Sequence, residues 1–138
     1  MATPVRSHGL HVNEITGSIV NSAMKVHSLL GPGLLESAYQ FCLAHELRSR
    51  GLEVATEVAL PVVYEGHKLE VGYRIDLIVE GRVVVEVKSV EAIRPIHEAQ
   101  LPSYMRLSGL KVGLLINFNV LRLRDGIKRR VDGQDWMQ

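Results

Sequence analysis

Cysteine is nearly absent from this 138-residue chain: Cys42 stands alone. No internal disulfide can form, and the composition fits a reducing compartment. A dominant charge is lacking too, since 16 Lys and Arg against 15 Asp and Glu leave a net +1. That excludes a generally basic coat for nucleic acid, though not a local basic patch. No apolar run approaches the roughly 20 residues of a membrane span. The opening Met-Ala-Thr-Pro-Val-Arg-Ser-His-Gly has no signal-peptide core. Internal repeats and low-complexity tracts are missing as well. These exclusions leave the expectation of a cytoplasmic protein without membrane attachment. Its 46% hydrophobic and 22% charged residues are ordinary globular values, and the length suffices for one real core. The expected organisation is a flexible lead over 1–11, one domain over 12–131 and a short tail over 132–138.

What is present is organised around Gly72-Tyr-Arg-Ile-Asp-Leu-Ile-Val-Glu-Gly-Arg-Val-Val-Val-Glu-Val-Lys88. Alternating Val, Ile and Tyr on both sides of Glu80-Gly81 predict two strands and a tight turn. The odd positions Val71, Tyr73, Ile75, Leu77 and Val79 form one apolar face, continued by Val83, Val85 and Val87. The even positions carry Asp76, Glu86 and Lys88. Burying unpaired charge costs several kcal/mol, so two acids and a lysine here imply a compensating partner, such as a divalent cation. Register tests the idea. A two-residue loop would set Asp76 opposite Val85, with Glu86 on the far face. A three-residue loop or a bulge near Gly81 sets Asp76 opposite Glu86 and keeps both apolar sets together. Side chains so opposed start about 5 Å apart, close enough to share one hard ion.

Around this hairpin the chain predicts a helix capped by Asn13 and running to about Leu30, with Ile15, Ile19, Ala23 and Val26 on one face. Gly31-Pro32-Gly33 must end it. A second helix over 34–50 has apolar residues around most of its circumference and so should be well buried. It carries Glu36 in its first turn and Tyr39 three residues on. Glu36 there could serve only the helix dipole, and Cys42 reads as core. His27 and His45 read as surface or satisfied histidines. Strands follow over 53–60 and 61–65, then a turn at 64–67. Pro95 starts a third helix, which ends at Gly109 and aligns His97, Gln100 and Tyr104, while Pro102 should kink it. The apolar run 111–118 predicts a buried strand. Residues 120–131 predict a hairpin about Asp125-Gly126. Arg122, Arg124, Lys128, Arg129 and Arg130 against Asp125 give it a local charge of +4, leaving −3 elsewhere. Such a ribbon is either a solvated face or a track for phosphates.

Taken together, Gly33-Leu-Leu-Glu36-Ser-Ala-Tyr39, Gly72-Tyr-Arg-Ile-Asp76, Glu86-Val-Lys88, Pro95-Ile-His-Glu-Ala-Gln100, Tyr104 and Gly113-Leu-Leu-Ile-Asn-Phe-Asn119 resemble the GxxExxY proteins. These are a family of the PD-(D/E)XK nuclease superfamily. Gln100-Leu-Pro-Ser-Tyr104 also resembles the Q-x-x-x-Y motif of its RecB-like branch. The resemblance implies an α/β fold with a restriction-endonuclease-like core. That core is a central mixed sheet flanked by helices, here with an N-terminal helical hairpin and a C-terminal β-hairpin. It implies a Mg²⁺-dependent nuclease acting most plausibly on DNA, with Mn²⁺ as substitute ion. Asp76, Glu86, the Val87 carbonyl and Glu36 would serve the metal, and Lys88 the water and phosphate. Gln100 and Tyr104 would support the site. Two rivals stand beside this reading: a nucleic-acid-binding accessory protein with little cleavage, and a structural domain whose polar sheet face only forms ion pairs. The oligomeric state stays open, a homodimer included.

Overall fold

The computed structural model describes residues 10–133 and residue 136. Most of the expected lead, 1–9, and tail positions 134, 135, 137 and 138 lie outside them. The helical spacing of Ile15, Ile19, Ala23 and Val26 becomes α1 (Val12–Leu30), with all four buried. Its cap is His11 rather than Asn13: the Asn13 N–H donates to His11 Nδ1 at 3.1 Å, and the His11 N–H to Glu14 Oε1 at 2.9 Å. The imidazole nitrogen substitutes for the usual capping oxygen. After Gly31, at φ 70°, the chain turns back into α2 (Glu36–Ser49).

The second helix is less buried than its composition predicts. Tyr39, Leu43, Ala44 and Leu47 are inside, but Phe41 is 74% exposed. Only the stripe facing α1 and the sheet has a layer to pack against. Apolar residues beyond that stripe stay in solvent.

Seven strands follow: β1 (Val54–Ala59), β2 (Val62–Tyr64), β3 (His67–Leu69), β4 (Arg74–Val79), β5 (Val83–Lys88), β6 (Val112–Asn117) and β7 (Ile127–Val131), with α3 (Pro95–Ser108) between β5 and β6. The main sheet has the order β1-β4-β5-β6-β7. Its β5–β6 pair is parallel and its other pairs are antiparallel, while β2 and β3 form a separate hairpin. The parallel pair needs a crossover, and α3 supplies it. Helices α1 and α2 cover one face over Leu77, Val79, Val85, Val87, Leu114 and Ile116. Helix α3 covers the other over Ile75, Val84 and Leu115. Strand β5 is therefore buried on both faces.

Two expectations change. Ile75 joins the α3-side core although Leu77, on the same parity, faces the other way, so the alternation breaks at Asp76. Helix α3 carries Pro102 inside one element, as its position requires. The carbonyl robbed of its donor is that of Glu98, an exposed residue, where water can replace the bond. The C-terminal hairpin is made by β6 and β7, not by two halves of 120–131. Asp125-Gly126 falls in a 3₁₀ turn, Leu123–Gly126, whose Leu123 is buried. His27 Nε2 lies 2.7 Å from the Val120 carbonyl and ties this connection to α1.

Two glycines mark close approaches. A β-carbon on Gly113 would meet Leu101 Cδ1 and Met105 Sδ at 2.8 Å, both ends of flexible side chains. One on Gly126 would collide with the Asn117 backbone carbonyl, which cannot step aside. Urea unfolding should therefore find Gly126→Ala destabilised by about 3 kcal/mol and Gly113→Ala by about 1 kcal/mol. The reverse order would mean that β6 yields more easily than α3.

Candidate active site

The sheet comes apart at one place, and the acids sit there. Strands β4 and β5 pair as Val79↔Val83, Ile78↔Val84 and Leu77↔Val85. This is the register of a three-residue loop, and one rung further it sets Asp76 opposite Glu86. Glu80 and Gly81 both take positive φ, and the Arg82 N–H donates to the Val79 carbonyl at 3.0 Å. Beyond Leu77↔Val85 side chains replace the ladder. The Val87 N–H donates to Asp76 Oδ2 at 2.8 Å, and the Asp76 N–H donates to Glu86 Oε2 at 3.0 Å. Each acid is thus held by the backbone of the opposite strand. The N–H and C=O of one strand residue project to the same edge, so the Val87 carbonyl also points into this gap.

The outer neighbour yields as well. Pairing of β1 with β4 runs Thr56↔Leu77 and Val58↔Ile75, skipping Glu57 and Asp76. Glu57 has φ 52°, which a non-glycine residue adopts only under constraint. Its carboxylate accepts from Gln40 Nε2 of α2 at 2.8 Å. It belongs to the charge environment of Asp76, yet nothing in the sequence singles it out.

Burial and crowding decide the electrostatics. Glu86 is 3% exposed. Burial first, then the Asp76 charge, pushes its carboxyl up to about 8, with the Asp76 N–H and Lys88 opposing. Burial likewise raises Asp76 to about 6, against the Val87 N–H and Lys88, with Glu57 and Glu36 adding to the rise. Lys88 does not close on the pair, since its Nζ donates to Gln100 Oε1 of α3 at 3.0 Å. Ionised together, the acids would hold more negative charge than their surroundings balance, and every ligating atom is a hard oxygen. This fits a small divalent cation.

Glu36 stands at the neighbouring end of β5, where its Oε2 accepts the Ser89 N–H at 3.3 Å. Among the described residues no three acidic, histidine or cysteine side chains are close enough to ligate one ion together, so Glu36 is not in direct reach with the pair. Tyr39 explains how Glu36 is aimed. Its hydroxyl accepts the Leu34 N–H at 3.1 Å and donates to the Gly31 carbonyl, and its ring stacks on Phe118 at 4.5 Å. Ser89 Oγ donates to the Leu34 carbonyl at 2.6 Å and closes the contact. Asn117, which no sequence motif marks as a site residue, joins this corner. Its side chain accepts the Val90 N–H at 3.1 Å and donates to the Val90 carbonyl at 2.9 Å, shaping the segment after Lys88. A buried amide at the end of an unbroken apolar run was the available signal.

Tyr104 lies on the α3 side, where burial and then the Glu86 charge raise its hydroxyl. The five basic residues do not assemble into one surface. Lys128 pairs with Glu98 at 3.3 Å and Arg130 with Asp132 at 3.5 Å. Arg129 turns to the opposite face, donating to Asn13 Oδ1 at 2.7 Å and covering the Trp136 ring at 5.0 Å. Arg122 and Arg124 lie in or beside the 3₁₀ turn. Arg130 pairs with Gly113, four residues back along β6 from Asn117, the neighbour of Lys88. At about 3.3 Å per residue that is some 13 Å away along the strand.

The raised carboxyls make a prediction for metal-free protein. The folded chain keeps a proton on Glu86 that the unfolded chain, near 4.5, has lost. The Glu86 contribution to stability is thus fully present below about pH 4.5 and is lost as pH rises through about 8, with Asp76 adding to the fall at the lower end. Urea unfolding in chelator should show a decline of about 2–4 kcal/mol between pH 5 and 9. Glu86→Gln, neutral throughout, should flatten most of it. An unchanged slope in that variant would assign the decline elsewhere.

Neither a curated protein nor a solved structure matches the chain significantly. A family model described as the PD-(D/E)XK nuclease superfamily matches residues 13–130. That span runs from the first helix to the last strand and includes the parted strands, both acids and Lys88. The chain belongs to the PD-(D/E)XK nuclease superfamily.

Proposed function

We propose that the protein is a divalent-metal-dependent nuclease that hydrolyses phosphodiester bonds, with DNA as its substrate, and that it is a GxxExxY-type member of its superfamily. One observation carries the reading: a buried and a half-buried carboxylate, the second raising the pKa of the first, face a gap in the sheet, with a lysine two residues along the same strand. A merely structural ion pair would have closed Lys88 onto the acids. Here the ammonium is held off by Gln100.

Asp76, Glu86 and the Val87 carbonyl would hold Mg²⁺, or Mn²⁺ in its place, with Glu36 acting through water. When bound, the cation supplies a Lewis acid that lowers the pKa of a water and offsets charge on the phosphate. The remaining roles belong to the chain. The Val87 and Asp76 N–H groups fix which carboxylate oxygens are engaged and so which stay available. Lys88 orients the attacking water and stabilises negative charge on the phosphoryl oxygens. Gln100 positions Lys88 by accepting from its ammonium. Tyr104 borders the substrate side of the site. Arg122, Arg124, Lys128 and Arg130 would contribute at most a distant contact to the DNA backbone, because Lys128 and Arg130 already have acidic partners. Arg129 points away and would contribute none.

The test is incubation with circular and linear, single- and double-stranded DNA and with RNA, in Mg²⁺ or Mn²⁺. Asp76→Asn and Glu86→Gln, which keep an acceptor for the opposite backbone N–H, should fold normally and lose at least about 10³-fold in cleavage. Lys88→Ala should lose about 10²-fold in turnover while calorimetry finds its metal affinity within a few-fold of wild type. Cleavage at the wild-type rate by Asp76→Asn would overturn the assignment of the site. A collapse of metal affinity in Lys88→Ala would overturn the division of roles.

A further inference from the structure

Beside the carboxylates lies a second feature that hydrolysis does not require. A cavity of about 310 Å³ is lined by Tyr73, Ile96, Ala99, Gln100, Ser103, Tyr104 and Leu107, at the lower end of the size range of small-molecule sites. Gln100 is shared, since its Oε1 takes the Lys88 ammonium. The cavity therefore begins one side chain from the proposed reacting centre. Its walls are apolar and open: Ile96 is 63% exposed, Tyr73 48% and Leu107 42%. The two tyrosine rings lie 6.3 Å apart at 46°, so they are not stacked face to face.

The segment is anchored although its side chains are exposed. The Tyr73 carbonyl accepts the Leu60 N–H at 2.8 Å, which anchors its backbone at the entrance to β4. An exposed aromatic and aliphatic patch one side chain from the Lys88 ammonium matches one ligand chemistry: a flat apolar ring on a phosphate chain. Duplex DNA hides its base faces in the stack and presents phosphates and groove edges instead. An unpaired nucleotide offers its base face, and stacking on an aromatic side chain is tolerant of sequence.

We propose that the Tyr73–Tyr104 cleft receives an unpaired nucleobase next to the scissile phosphate that Lys88 faces. The protein's substrate is then single-stranded nucleic acid or an unpaired end. This rests on the nuclease reading for which phosphate is cut, but its test reads binding alone.

The experiment uses Asp76→Asn as the non-cleaving background. Its probes are a dye-labelled oligothymidylate, oligouridylate and a duplex of equal length, together with a strand carrying 2-aminopurine. The background protein should bind the single strands more tightly than the duplex and change 2-aminopurine fluorescence through stacking. Adding Tyr73→Ala should weaken single-strand binding by about 5- to 100-fold and abolish the fluorescence change. Tyr73→Phe, which keeps the ring, should stay within about twofold. Duplex affinity should not move, and the thymidylate and uridylate arms decide between DNA and RNA. Ile96→Ser, on the other wall, should weaken single-strand binding in the same direction. Equal losses on single strand and duplex, or none in Tyr73→Ala, would overturn the cleft. Wild-type cleavage of duplex alone would overturn it too, yet leave the nuclease reading standing. Stacking without cleavage of any substrate would uphold the cleft and refute the nuclease.

Discussion

Two hydrogen bonds at the parting of β4 and β5 set the terms for the rest of the molecule. Where a continued ladder would pair Ile75 with Val87, the Val87 N–H goes to the Asp76 carboxylate and the Asp76 N–H to that of Glu86. Backbone donors buried between strands must be satisfied, and here the acids satisfy them. In return the acids are fixed in a buried place that neither would occupy alone. The distortion spreads outward: β1 gives way at Glu57, and Ile75 turns to the α3 side.

The surrounding layers keep that arrangement dry on one side and reachable on the other. Strand β5 is central, with β4 and β6 beside it and helices on both faces, so Glu86 is buried by position. The same strand ends in the open, where Lys88 and Ser89 meet α3 and the start of α2. Tyr39 holds the turn before α2 against the core through Phe118, and Ser89 binds the Leu34 carbonyl. In the motif Gly33 to Tyr39, the tyrosine is therefore a packing residue that delivers the glutamate.

Charge is separated in the same way. The acidic centre keeps one nearby lysine, restrained by an amide. The basic residues of β7 are spent on Glu98, Asp132 and Asn13. The Tyr73–Tyr104 cleft adjoins Lys88 through Gln100. Phosphate recognition and base recognition would then fall on the same side of the sheet as the acids, the α3 side.

The sequence alone determined the central hairpin, its register and the meeting of Asp76 with Glu86. Period-two alternation admits only one loop length that keeps the valines together. The apolar run 111–118 marked a buried strand by itself, whereas the mixed sheet around it was implied by the family resemblance. Tertiary structure decided the rest. The C-terminal basic residues look like one ribbon in sequence, but alternate residues of a strand face opposite layers, so α1 claims Arg129 and α3 claims Lys128. Asn13 loses its capping role to His11, which a propensity for oxygen acceptors does not foresee. Phe41 is apolar yet exposed because no third layer covers α2. Glu57 carries no motif, and Tyr73 reads only as an apolar position of the hairpin. Their place near the acids comes from strand pairing across 19 residues and from a contact with a helix 31 residues later, and local pattern holds no record of such long-range neighbours.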